Sequence, residues 1–264
     1  MKISRREFMW LAGAGTAATV IGCATNPYTG EQQLMLVSRE EAAQMGLQAR
    51  NEVLKKQNVT KDPRYTGPVI SAGTRITSLS GLPNYDWEFN VIKDDTLNAF
   101  ALPGGYTFIY TGLWELANGS EAELAAVIGH EIAHIIARHG SERMSLGMAS
   151  QLGKQLAATA LGGGSQMSNL FMVAYDVGAS VGVILPYSRE HELEADEIGT
   201  KLMARAGYDP RNALKFWKKM AAQKDGGGGQ PAFLSTHPAT NARINHLESL
   251  MPEAMELYRQ ARRG

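Results

Sequence analysis

Two histidines four residues apart, with a glutamate directly after the first, are the part of this sequence best suited to chemistry: His130-Glu131-Ile132-Ala133-His134. On an α-helix, residues four apart lie one above the other on a single face, so both imidazoles can reach one metal ion. Glu131 lies about 100° round the helix from His130, near enough to hold a metal-bound water without taking a metal position itself. Such an arrangement activates water for hydrolysis. It needs a helix beneath it and one more ligand, because a catalytic zinc takes three protein ligands and keeps a fourth position for water.

The helix is well signalled. Ser120-Glu121-Ala122-Glu123 reads as a capping box, with the Ser120 hydroxyl and the Glu123 carboxylate satisfying N–H groups at a helix start. Leu124, Val127, Ile128, Ile132, Ile135 and Ile136 recur at three- and four-residue steps, and Gly140 is the expected stop. His139 falls off the metal-facing stripe near that end. A cationic side chain suits the macrodipole there, so it reads as structural. The competing reading of His130 and His134 is a buried, hydrogen-bonded pair.

One route to a third ligand, a histidine after a glycine in the pattern His-Glu-x-x-His-x-x-Gly-x-x-His, is excluded because Ala137 and Gly140 occupy the diagnostic positions. The other route is a carboxylate from a second helix. Residues 186–196 offer one, with Ser188 as N-cap and Gly207 as stop. Glu192, Ala195, Asp196, Gly199, Leu202, Met203 and Ala206 share one face whose other members are apolar or small. Glu190, Glu194, Glu197, Lys201 and Arg205 share the opposite face, a solvated stripe with i,i+4 pairs. An acid on the buried face needs a partner. Glu192 is therefore the expected third ligand, and Asp196, one turn later, the acceptor for the free N–H of a ligating histidine.

Four segments together resemble the HtpX/CAAX-prenyl-protease-type zinc metallopeptidases, a gluzincin family, and most closely its BepA/LoiP-like periplasmic lipoprotein members. They are Asn98-Ala99-Phe100-Ala101-Leu102-Pro103-Gly104-Gly105, the 130–139 stretch followed by Gly140, Ser188-Arg189 to Ala195-Asp196, and Ser235-Thr236-His237-Pro238 followed by Arg243-Ile244. The resemblance spans about residues 30 to 250. It implies an α+β, mostly helical, zincin-like metallopeptidase domain with a small β-sheet beside the His-Glu-x-x-His helix, and one Zn²⁺ per chain. It places the glutamate ligand four residues before the Ala-Asp aspartate, at Glu192, in agreement with the face argument.

The chain has 264 residues, 44% hydrophobic and 20% charged, enough for one good core. Its formal charge is zero, and no basic excess points to nucleic acid. Residues 1–22 read as a leader: a basic start containing Arg5-Arg6, an apolar and small-residue stretch, then Val20-Ile21-Gly22-Cys23. The junction resembles a lipobox with Cys23 as the lipidated N-terminus, and the paired arginines resemble a twin-arginine export signal. Cys23 is the only cysteine, so disulfides and cysteine zinc ligation are ruled out in the mature domain. Residues 23–37 read as a tether and 38–264 as a single metallopeptidase domain. The expected place is the periplasmic side of the envelope, lipid-anchored, with outer-membrane sorting fitting Ala24.

Along the mature chain, helices are expected from 38 to about 57 (Ser38 and Glu41 forming a capping box), from 63 towards 78, from 209 to about 224 and from 241 to 262. Residues 86–93, 98–101 and 106–111 read as a small sheet. In peptidases of this kind an edge strand just before the zinc helix pairs with extended substrate. The candidate is Tyr106 to Tyr110, with Gly105, Tyr106, Thr107 and Phe108 as contacts; plain sheet core is the competing reading. Residues 145–185 read as two helices joined by a flexible loop, a lid or a bilayer-resting surface.

Gly226 to Gly229 lead to His237, which the resemblance places near the zinc, closing the fourth position in a latent form or stabilising the oxyanion; a capping or core histidine is the alternative. The expected activity is zinc-dependent endopeptidase action on unfolded or misassembled envelope polypeptides, with Glu131 as general base. Two alternatives remain open: a latent-protease chaperone or assembly factor for outer-membrane proteins, and a cell-wall peptide amidase.

Overall fold

The computed structural model describes residues 23–26, 28–159, 187–223 and 231–263. The expected leader at 1–22, the apolar stretch from 160 onward and the glycine loop at 226–229 lie outside the described residues. The described chain is mostly helical, with a small mixed sheet, as the α+β expectation requires. Two short strands, β1 (Cys23–Thr25) and β2 (Gln32–Leu34), pair antiparallel ahead of helix α1 (Arg39–Lys56). The stretch expected as a tether thus begins with a hairpin, and the side chains of Asn26, Gln33 and Val37 are buried.

The main sheet has the order β3 (Val59–Thr60), β4 (Glu88–Ile92), β6 (Tyr106–Tyr110), β5 (Ala99–Leu102). β4 and β6 are parallel; the other two pairings are antiparallel. Alternation along the strands feeds two apolar clusters. Val91, Ala99 and Ile109 face a core built with α2 (Pro63–Thr77) and α4 (Glu121–Ile136). Ile92, Phe100, Leu102, Phe108 and Tyr110 face Ala42, Ala49 and Val53 of α1. The sheet is therefore a layer between helices, and β6 is an interior strand paired on both edges. This corrects the expectation for Gly105, Tyr106, Thr107 and Phe108: Tyr106 to Tyr110 has no free edge for substrate. The edge strand beside α4 is β5.

After β6 come α3 (Thr111–Leu116), α4, α5 (His139–Thr159), α6 (Arg189–Arg205), α7 (Arg211–Gln223), the short α8 (Ala232–Thr236) and α9 (Asn241–Ala261). Among the described residues, no helix is long and apolar enough to cross a membrane. The caps at Ser38 and Ser188 form as expected, the first as a reciprocal box with Glu41. At α4 only half the expected box forms. The Glu123 N–H donates to Ser120 Oγ at 3.3 Å, but the Glu123 carboxylate is buried and pairs with Lys215 and Lys219, each at 2.6 Å, so it ties down α7 instead.

The helices that matter for the site are α4 and α6, and they touch at a pair of glycines. A Cβ on Gly199 would lie 2.8 Å from the backbone carbon of Gly129 and from the backbone nitrogen of His130. In an exposed helix, Gly→Ala would stabilise by about 1 kcal/mol. Here overpacking, on the order of 1–3 kcal/mol, outweighs that gain. Gly199→Ala should therefore lower the denaturation midpoint and weaken metal retention by spreading the two helices. A midpoint at or above that of the parent chain would show that the crossing tolerates a methyl group.

Candidate metal centre

Helix α4 is buried on nearly all sides from Glu123 to Ile136, so His130, Glu131 and His134 project into the interior. The helix ends sooner than expected. Ala137 is its cap, and Arg138 takes a left-handed conformation with φ 60°, its guanidinium donating to Val37 O at 2.8 Å. Gly140 is not the stop. It lies inside α5, which starts at His139. His139 lies off the metal-facing stripe, as its structural reading has it, but not as a helix-end cation: the ring is wholly buried at the start of α5, and burial lowers its pKa below the ordinary value. Its Nδ1 lies 2.9 Å from His134 Nδ1, and its Nε2 lies 2.9 Å from Glu194 Oε2.

Helix α6 supplies the carboxylates. Glu192 and Asp196 are buried, as their shared face predicts. Glu192 lies 3.4 Å from His134 Nε2 and 3.5 Å from His130 Nε2, and Asp196 Oδ1 lies 3.0 Å from His130 Nδ1. Glu197 and Lys201 form the expected i,i+4 pair at 2.8 Å. Glu194 departs from the solvated stripe, because the N-terminal hairpin and His139 cover it.

His237, at the C-terminal cap of α8, joins the same cluster. Its Nδ1 is 2.8 Å from Glu192 Oε1 and 3.2 Å from His130 Nε2. One ligand atom from each of His130, His134, Glu192 and His237 lies within 4.8 Å of the others. Aromatic rings wall the cluster: Tyr187 stacks on His134 at 4.1 Å, Phe233 lies 4.6 Å from His237, and Trp217 meets His130 edge-on at 5.1 Å.

Arg243, from α9, enters the sequence reading only through the resemblance; no spacing or periodicity signals its place in the site. It is fully buried. Its Nε and Nη2 donate to Asp196 at 2.7 and 2.6 Å, its Nη1 sits 2.7 Å from Glu192 Oε2, and its guanidinium lies 3.8 Å over the Trp217 ring. Burial alone would raise the Glu192 carboxyl, but His237, Arg243 and His130 hold it well below the carboxylate range. His130 behaves oppositely. Burial disfavours its charge, yet Glu192 and Asp196 push it up to about 9. Burial holds His134 well below its ordinary value and pushes Glu131 up.

These residues fit a divalent metal ion. The outer nitrogens of His130 and His134 are occupied by Asp196 and His139, which leaves the two Nε2 atoms facing each other at 3.1 Å beside Glu192. Glu131 Oε1 is buried without a hydrogen-bond partner, and His237 Nε2 lies 3.6 Å from it. An orphaned acceptor beside such a donor set is suited to hold a water. A small pocket beside His134 is lined by Tyr187, Arg138, Ala101 and Pro103, so β5 borders it through Ala101.

Fold and cluster together are those of a zincin-like metallopeptidase domain. The chain matches peptidase family M48 over residues 63–251, and it belongs to that family. It is a metalloendopeptidase. Over 256 residues it is 34% identical to the mitochondrial metalloendopeptidase OMA1 of Schizosaccharomyces pombe, covering 94% of this chain and 74% of that protein. It is 28% identical over 244 residues to the mitochondrial metalloendopeptidase OMA1 of Homo sapiens, covering 88% of this chain and 46% of that one. It is also 28% identical over 227 residues to the beta-barrel assembly-enhancing protease of Escherichia coli, covering 83% and 46%. The chain thus spans about three quarters of the fission-yeast protein and about half of the other two. These matches agree with the resemblance carried by the four sequence segments and add the mitochondrial relatives to it.

Proposed function

We propose that the chain is a zinc endopeptidase, lipid-anchored through Cys23 on the periplasmic side of the envelope, that acts on unfolded or misassembled envelope polypeptides. The observation that carries the catalytic part is the buried cluster itself: two imidazole nitrogens and a carboxylate converge, and a partnerless Glu131 oxygen stands beside them. Support for the location comes from the leader-like pattern of residues 1–22 and from the name of the Escherichia coli relative, which ties that protein to β-barrel assembly.

In this reading His130, His134 and Glu192 hold the ion. Zinc bound there supplies Lewis-acid polarisation of the scissile carbonyl and a lowered water pKa. Glu131, lifted in pKa by burial, takes the proton from the attacking water and passes it to the leaving amine. Asp196 and Arg243 fix His130 and Glu192 in place. The edge strand β5, beside the site, is the element that pairs with extended substrate. His237 sits inside the cluster, which favours a latent form in which it closes the remaining ligand position; such latency also suits a chaperone or assembly role.

The test is incubation of the purified chain with casein and with unfolded outer-membrane polypeptide, with and without chelator. Cleavage should stop on chelation and return with added zinc, and His237→Ala should raise the rate if the ring closes the site. Cleavage that survives complete removal of metal would rule out the zinc reading. In cells, Cys23→Ser should release the protein from the membrane fraction; unchanged partition would remove the lipid anchor.

A further inference from the structure

The second imidazole of the metal-binding pair is held by a chain of hydrogen bonds that ends in the N-terminal hairpin. Glu194 can only accept, so the His139 Nε2 facing its Oε2 at 2.9 Å carries the proton. Neutral His139 then presents a bare lone pair at Nδ1. The His134 Nδ1 facing it at 2.9 Å is therefore the N–H of that pair. His134 is left with its Nε2 lone pair directed at His130 Nε2 and Glu192, 3.1 and 3.4 Å away.

Glu194 is itself fixed from the far side. Asn26, 1% exposed, donates from Nδ2 to Glu194 Oε1 at 2.5 Å. The orientation of its amide is set because Oδ1 accepts the N–H of Tyr28 at 2.9 Å. The backbone of Asn26 is locked as well: its N–H donates to Glu31 O at 2.8 Å, and its carbonyl accepts from Gly30 at 2.9 Å. A second strut holds the hairpin against the same junction, with Gln33 Nε2 donating to Ala137 O at 3.1 Å and to Glu142 Oε2 at 2.8 Å.

We infer that Asn26, Glu194 and His139 form a positioning relay that sets the tautomer and ring orientation of His134, so that the hairpin following Cys23 is a working part of the metal centre. The relay rests on the metal reading proposed above, and it assigns a role to three residues outside the ligand set. Ligand histidines are held in this way by outer acceptors, whose loss costs about 10- to 100-fold in metal affinity.

The relay is tested on the full chain. In the zinc-loaded protein, the ¹⁵N imidazole spectrum should show His139 protonated at Nε2 and bare at Nδ1, and His134 protonated at Nδ1. Competition with a chromophoric chelator should show zinc held about 10- to 100-fold more weakly in Glu194→Ala. Asn26→Asp should also weaken it by setting two carboxylates against each other. Combining Asn26→Asp with Glu194→Gln restores one donor and one acceptor at that contact and should recover most of the affinity, which a general packing defect would not allow.

A proton on His139 Nδ1 overturns the relay. So does zinc affinity within twofold of the parent in Glu194→Ala and Asn26→Asp, or a double variant no better than Asn26→Asp alone. A parent chain that binds no zinc would instead sink the metal reading beneath it.

Discussion

Glu131→Gln should keep its metal and lose turnover by about 10²- to 10⁴-fold, the range expected when a positioned general base is removed. The glutamate is buried to 2% exposure and stands outside the four-residue ligand cluster. An isosteric amide preserves shape and cannot take a proton. Stability should hold or rise, because the change removes a charge whose burial is unfavourable. The measurements are metal content by elemental analysis and cleavage rate on an unfolded substrate. A variant that cleaves as fast as the parent would remove Glu131 from the chemistry. A variant that loses its metal would make it a ligand.

Arg243→Met should be the most damaging single change to stability among the residues around the site. The arginine pairs with two buried carboxylates at once and stacks on Trp217. Breaking a buried ion pair from one side costs about 3–5 kcal/mol, because the remaining charge stays buried without its partner. For a domain of this size that is roughly 6–20 °C in melting temperature. Arg243→Lys should rescue little, since a single ammonium cannot reproduce the fork on Asp196. Lys218→Ala is the control: its pair with Glu248 is half exposed on both sides, where such pairs contribute about 0–1 kcal/mol. Thermal unfolding of the three variants decides the matter, and an Arg243→Met midpoint within a degree of Lys218→Ala would refute the argument.

The site was legible where chemistry and helical period coincide. His130, Glu131 and His134 follow from spacing alone, and the choice of Glu192 and Asp196 over Glu190 follows from which face is apolar. Glu194 was misplaced because helix periodicity is blind to what another segment lays over a face; the hairpin carrying Asn26 covers it. The end of α4 was misread for a related reason. Glycine is the usual left-handed stop, whereas Arg138 takes that conformation here with its guanidinium bonded to Val37. Arg243 stands 47 residues from the aspartate it serves, on a helix whose other charges face solvent. Strand order was equally hidden. Alternation located β6 and left its two partners unstated, so an interior strand was read as an edge.

The ligand cluster reaches across 107 residues, from His130 to His237. Before the last third of the chain has docked, an ion finds His130 and His134 alone, without Glu192 or the cation of Arg243 that lets that carboxylate stay ionised in the interior. Closing such long loops costs entropy that is recovered only when the final contacts form. Loading is therefore a late event in the life of each molecule, and the newly made chain passes through its unfolded stage unarmed.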